Sequence, residues 1–222
     1  AGVAFTSNLA GPGHALYRVL LSGGAAPERL SPLPAEAQQR VSALDVTPDG
    51  ARLVYLSDHR ARGVVELYSV PADGSTESLR LNRPLASGSR RVVTFELSAG
   101  GARVLYSAPQ GVDTPQLWSV PVTGGEPVRL NRDLERGTPG NVEEVLLAPD
   151  GAHAFYSTTH KEADVHDVYD LFRVALDPPR TPQRLIDALA PGVSLRPLAV
   201  SPDGAWVIVN GGTQGTLLAV PS

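Results

Sequence analysis

Leu67-Tyr68-Ser69-Val70-Pro71 returns as Leu117-Trp118-Ser119-Val120-Pro121. Degenerate copies stand at Leu16-Tyr17-Arg18-Val19, Leu171-Phe172-Arg173-Val174 and Leu217-Leu218-Ala219-Val220-Pro221. The five leucines follow one another at intervals of 51, 50, 54 and 46 residues. Self-similarity at such a period marks tandem repetition of one supersecondary unit, which cannot bury its apolar surface alone and must stack on its neighbours.

Upstream of the quoted strand, Val41 to Val46 alternates toward Thr47-Pro48-Asp49-Gly50, and the β-prone run Leu53-Val54-Tyr55-Leu56 follows. Asp-Gly between two hydrophobic runs supplies the positive-φ positions of a tight connection, and the proline fixes φ at its entrance. The corner recurs as Ser98-Ala99-Gly100-Gly101, Ala148-Pro149-Asp150-Gly151 and Ser201-Pro202-Asp203-Gly204. Downstream, Ser22-Gly23-Gly24, Ala72-Asp73-Gly74 and Thr123-Gly124-Gly125 read as turns, and Arg29-Leu30, Arg80-Leu81, Arg129-Leu130 and Arg184-Leu185 mark a short fourth strand.

Four short strands joined by turns, without a helical period, describe a meander. Meanders apolar on both faces cover one another by packing face to face around an axis, which makes the expected fold an all-β β-propeller of four-stranded antiparallel blades. A β-sandwich has no reason to reuse the same strand wording in register. Residues 1–222 are expected to form a single propeller domain or a propeller fragment. Complete blades are expected at about 41–85, 91–134 and 142–189, with partial blades at 1–34 and 195–222. The partial blades hold the second to fourth and the first to third strands, and three plus three do not make one blade. Either five blades close with two thin members or further blades lie in a longer polypeptide; because Ala1-Gly2 reads as the tail of a lost corner, in the middle of a repeat, we expect the second.

The corner Ser/Thr-Pro-Asp-Gly, the Leu-Tyr/Trp-x-Val strand and the Gly-Gly turn before Arg-Leu closely resemble the TolB-type (WD40-like) β-propeller repeat. The resemblance covers nearly the whole chain, with Ala99-Gly100 and Ala148 departing from the usual corner. That family also includes the propeller domains of prolyl-oligopeptidase-like serine peptidases, so the resemblance implies a fold more than an activity. It also implies a periplasmic or secreted location, with a cytoplasmic one as the alternative. Sparse Lys beside abundant Ala, Gly, Pro and Arg suggests a bacterium with a GC-rich genome.

With 19 Lys+Arg against 23 Asp+Glu, the net charge of −4 lacks the basic excess that nucleic-acid binding demands. No apolar run is long enough to span a bilayer as a helix. Zero Cys removes disulfide and thiolate chemistry. No Gly-x-Ser-x-Gly elbow, phosphate-cradling loop or dinucleotide fingerprint is present, so no catalytic residue and no cofactor is expected.

In a propeller the innermost strands line a channel and one rim collects the second-to-third-strand loops with the connections between blades. Asp45, Glu96 and Glu144 interleave with the apolar residues of the first strands and are the expected channel lining, whether as an acidic wall or merely as wet positions. On the rim, His59, Arg60, Arg62, Arg90, Arg91, His160 and His166 are the expected partner-binding residues, because arginine forks suit carboxylate or phosphate. The run from Thr158 to Val168 reads as the longest rim loop and holds Lys161, the only lysine. Its His160, Asp164, His166 and Asp167 are competent metal ligands, but their spacing follows no defined metal signature, and a solvated insertion is the plainer reading. The expected function is a non-catalytic scaffold binding a protein or peptide. The alternative is the propeller portion of a larger prolyl-oligopeptidase-like serine peptidase. Further blades or domains of the same polypeptide are also candidate partners.

Overall fold

The computed structural model describes residues 2–9, 13–32, 40–85, 91–110, 114–131, 141–162, 166–176, 181–186, 195–211 and 216–222. Among them there is no helix. The first sheet holds β1 (Gly2–Ser7), β2 (Ala15–Leu20) and β3 (Glu28–Arg29); the second holds β4 (Val41–Val46), β5 (Arg52–Ser57), β6 (Glu66–Pro71) and β7 (Leu79–Arg80). The third holds β8 (Thr94–Leu97), β9 (Arg103–Ala108), β10 (Gln116–Pro121) and β11 (Val128–Arg129). The fourth holds β12 (Asn141–Leu147), β13 (His153–Glu162), β14 (His166–Ala175) and β15 (Gln183–Ile186), and the fifth β16 (Leu195–Val200), β17 (Trp206–Gly211) and β18 (Thr216–Pro221). Each sheet is a meander in chain order. Three carry four strands and the outer two carry three, as the repeat predicts.

The corners work as their residues require. At the second sheet the Thr47 hydroxyl donates to Asp49 at 2.6 Å and accepts from the Arg52 N–H at 3.0 Å, while Asp49 also accepts from the Ala51 N–H at 2.9 Å. Ser201 and Asp203 repeat the arrangement at the fifth sheet, with the Trp206 and Ala205 N–H groups as donors. Where Ala148 lacks the hydroxyl, Asp150 takes over and accepts from the Ala152 and His153 N–H groups at 2.8 and 3.1 Å. At the third sheet, Gly101 takes φ +70° and a Cβ there would stand 2.6 Å from Pro48 Cδ, so glycine is demanded twice over.

The chain divides into two compact units, residues 1–104 with 120–127, and residues 105–119 with 128–222. In the first unit, Leu16 and Leu30 of the first sheet pack with Leu53, Tyr55, Tyr68 and Val70 of the second. In the second unit, alternation along β13 decides the packing. Ala154 and Tyr156 join Leu105, Leu117 and Leu130 of the third sheet, whereas Phe155 joins Val207, Val209 and Val220 of the fifth. The fourth sheet is therefore buried on both faces. That excludes a sandwich with one interior, because a sandwich sheet turns one face to water. Tyr156 stacks on Phe172 across the strands, with ring centroids 5.2 Å apart. Each such buried aromatic stabilises by roughly 1.5–3 kcal/mol.

Two expectations change. The run from Thr158 to Val168 is not one open loop. β13 and β14 extend through most of it as a hairpin, with His160 opposite Val168, Lys161 opposite Asp167 and Glu162 opposite His166. Threonine, valine and tyrosine here favour pleated backbone. The second change is a register shift on each of three first strands, between Val41 and Ala43, Val142 and Val145, and Pro197 and Ala199. Strict alternation fails across such a bulge. The position that Asp45 holds relative to its corner belongs in the fourth sheet to Leu146, which packs on the cluster shared with the fifth sheet.

Candidate functional site

The first strand of a sheet begins beside the preceding sheet's third strand. Arg40 bridges His14 in parallel register and Arg91 bridges Val65 in the same way. The Val41 N–H donates to His14 O at 3.2 Å, and the Val92 N–H donates to Val65 O at 2.8 Å. One rule of the repeat thus sets two arginines at matching places on one edge of the first unit. Between them opens a cleft of about 440 Å³ lined by Arg40, Arg91, Asp58, Leu56, Val65, Val92 and Val93, among others.

Asp58 braces one side of the cleft through the backbone. It is nearly buried at the end of β5 and accepts from the Arg40 N–H at 2.8 Å and the Gly63 N–H at 3.0 Å. Those two bonds hold the start of β4 against the 58–63 loop, and Gly63 at φ +72° lets the loop turn back. Arg40 and Arg91 are exposed, as are Arg60 and Arg62 on that loop. Planar guanidinium groups beside an apolar wall suit a carboxylate or phosphate attached to an apolar body.

His59 turns inward from the loop. Its ring lies 4.3 Å from that of Tyr68 and 6.5 Å from that of Tyr55. Burial and then the nearby Arg60 charge hold its pKa below the usual histidine value, against the opposing pull of Glu66 and Asp58. Burial pushes the Tyr55 hydroxyl up to about 12, although it donates to Ser78 at 2.6 Å. Burial and the carboxylate of Glu66, which accepts from the Tyr68 hydroxyl at 2.8 Å, raise Tyr68 as well. At neutral pH the His59, Tyr55 and Tyr68 side chains are uncharged.

The structure brings Arg91, Arg60, Arg62 and His59 to one edge and adds Arg40 and Asp58, which sequence reasoning had not singled out. The available signal was the matching place of Arg40 and Arg91 ahead of successive first strands. Arg90 and Asp164 lie outside the described residues. His160, His166 and Asp167 sit in the β13–β14 hairpin of the second unit, and among the described residues no group of three metal-competent side chains forms. Asp45 is exposed and lines a separate cleft of about 750 Å³ in the first unit with Asp49, Asp73 and Arg18. Hydrogen bonds lower Asp49, from the Thr47 hydroxyl first, and Asp73, from the Ser75 hydroxyl first. Arg18 there is already engaged by Glu28 and by Ala72 O. Glu144 pairs with Arg196 at 2.9 Å, and Glu96 is half-buried on β8.

No protein-family model and no curated protein matches the chain. Solved structures do. The β-propeller domain of the trilobed protease from Pyrococcus furiosus matches 95% of this chain over 60% of its own length, at 10% identity and a TM-score of 0.56. The fold is a β-propeller. Prolyl oligopeptidase B from Galerina marginata matches 94% of the propeller chain over 31% of its length, at 12% identity and a TM-score of 0.57. A putative TolB from Agrobacterium tumefaciens matches 84% of it over 61% of its length, at 20% identity and a TM-score of 0.48. The chain thus spans between 31% and 61% of the length of these structures. Among the described residues no helix is long and apolar enough to cross a membrane.

Proposed function

We propose that this propeller is a non-catalytic scaffold that binds a peptide or protein, and that a carboxylate of the partner is taken between Arg40 and Arg91. The observation carrying this reading is the cleft itself: two exposed guanidinium groups at matching repeat positions beside an apolar wall. We place the protein, under the same proposal, in the periplasm or outside the cell, where a chain without cysteine neither gains nor loses a disulfide.

The test is fluorescence anisotropy with labelled peptide pools of one composition, ending in either a free carboxylate or an amide. The free-carboxylate pool should bind more tightly. Arg40→Ala and Arg91→Ala should each weaken it about tenfold, or about 1.4 kcal/mol. Equal binding of the amidated pool, or indifference to both substitutions, would sink the reading.

A second reading comes from the proteases among the similar structures, one of which was solved with a 35-residue substrate bound. On it, the propeller serves a serine peptidase domain of the same polypeptide. A Gly-x-Ser-x-Gly elbow within an α/β pattern in the continuous reading frame would favour it, and a frame of further propeller repeats ending in a stop would remove it.

A further inference from the structure

The chain enters its first strands through one repeated phrase: Arg40-Val41-Ser42 at the second sheet, Arg91-Val92-Val93 at the third and Asn141-Val142-Glu143 at the fourth. The middle valine is buried each time. The residue after it is exposed in both copies of the first unit, as Ser42 and as Val93. Serine and glutamate are residues that water favours at such a place, and valine is not. Val93 is nevertheless 41% exposed. It does not stand alone there, because it continues the aliphatic wall that Leu56, Val65 and Val92 present to the cleft between Arg40 and Arg91.

An occupant that matches this cleft carries an anion and an aliphatic group side by side. An aspartate or glutamate within a peptide does not. Its carboxylate reaches the arginines only by bringing the amides on both sides of its Cα against the aliphatic wall, where they lose water and gain no partner. The last residue of a peptide has the required form, because the chain stops at its carboxylate and its side chain leaves from the same Cα. The carboxylate then suits the guanidinium groups, and the side chain suits Val93.

We propose, resting on the two-arginine reading of this cleft, that it selects the C-terminal residue of a peptide by its side chain. The terminal carboxylate lies between Arg40 and Arg91, and an aliphatic side chain such as leucine seats on Val93, Val65 and Leu56. Val93 is the residue that sets this specificity, since the same place in the second sheet holds Ser42 and offers no apolar seat.

The test is fluorescence anisotropy of the 222-residue chain with labelled Ser/Gly peptides that differ only at the last residue. One set ends in leucine or serine as the free acid, one ends in leucine as the amide, and one is amidated with a single internal glutamate. The leucine acid should bind about tenfold more tightly than the serine acid, and more tightly than either amidated peptide. Val93→Ser should bring the ratio of the two acids close to one. Val93→Thr, which keeps the branched shape, replaces it if Val93→Ser loses the circular dichroism of the folded chain. Equal binding of the leucine and serine acids, both above the amides, overturns this specificity and leaves the arginine reading standing. A ratio that survives the Val93 substitution, or an internal glutamate that matches the leucine acid, overturns it as well. A leucine amide that binds as the acid does, or no binding by any peptide, overturns both.

Discussion

The guanidinium of Arg80 on β7 donates to the carboxylate of Glu66 on β6 at 2.9 Å, with Glu66 almost entirely buried. The same latch joins Arg129 to Gln116 at 2.7 Å in the third sheet and Arg184 to Asp170 in the fourth. Its purpose follows from the length of the fourth strand. β7 contributes only two residues to the ladder, too few to hold it by backbone bonding alone, and the arginine ties it to the strand inside.

Arg80→Ala leaves a buried carboxylate with the Tyr68 hydroxyl but without its cation. It should destabilise by about 2 kcal/mol in urea unfolding. Glu66→Gln should cost much less, because Gln116 already serves an arginine at the equivalent place. Equal losses for the two variants would show that charge, and not hydrogen-bond satisfaction, holds the strand.

His59 sets a pH dependence whose sign is fixed by its environment. Its folded pKa lies below the unfolded value of about 6.5, so the unfolded chain binds the proton first as pH falls. Stability should therefore drop as pH falls below about 6.5, levelling off below the folded pKa. At the corresponding place in the third sheet Gln110 donates to the Tyr106 hydroxyl at 2.9 Å. His59→Gln should remove this decline while keeping the fold, measured as melting temperature against pH.

The corner aspartates act at lower pH and with the opposite sign. Asp49 and Asp203 are lowered chiefly by the Thr47 and Ser201 hydroxyls, so their stabilisation is present above the unfolded carboxyl pKa of about 3.9 and is lost as pH falls through the folded value. Asp203→Asn should flatten the acid limb of the melting curve. An unchanged limb would show that the hydroxyl bond does not matter in solution.

Gly100 stands where the other corners carry aspartate, its φ is not positive, and a Cβ there meets nothing within 4 Å. Gly100→Asp should stabilise by about 0.5–1 kcal/mol by removing unfolded-state freedom and supplying the missing acceptor. Gly101→Ala, at φ +70° against Pro48, should destabilise by more than that.

Strand order, turn positions and the repeat were legible because they are local: an Asp-Gly corner and a Leu-aromatic-x-Val strand carry their conformation in a few neighbouring residues. The β13–β14 hairpin was less so. His160-Lys161-Glu162 is polar, and nothing in that composition distinguishes a solvated loop from a paired ribbon. The bulges were silent as well, since one extra residue leaves no mark on hydrophobic alternation until the partner strand is known. Asp58 and Arg40 stand 18 residues apart, and only the pairing of β4 with β5 brings the carboxylate to that backbone N–H.

What the sequence by itself determined about this protein is the repeating unit, because each blade is written with short-range signals. Tertiary structure alone decided which faces are covered. Leu171 and Leu217 hold equivalent positions in their repeats, and one is buried while the other is bare. Burial is a property of what stands opposite a side chain, which the identity of the side chain does not encode.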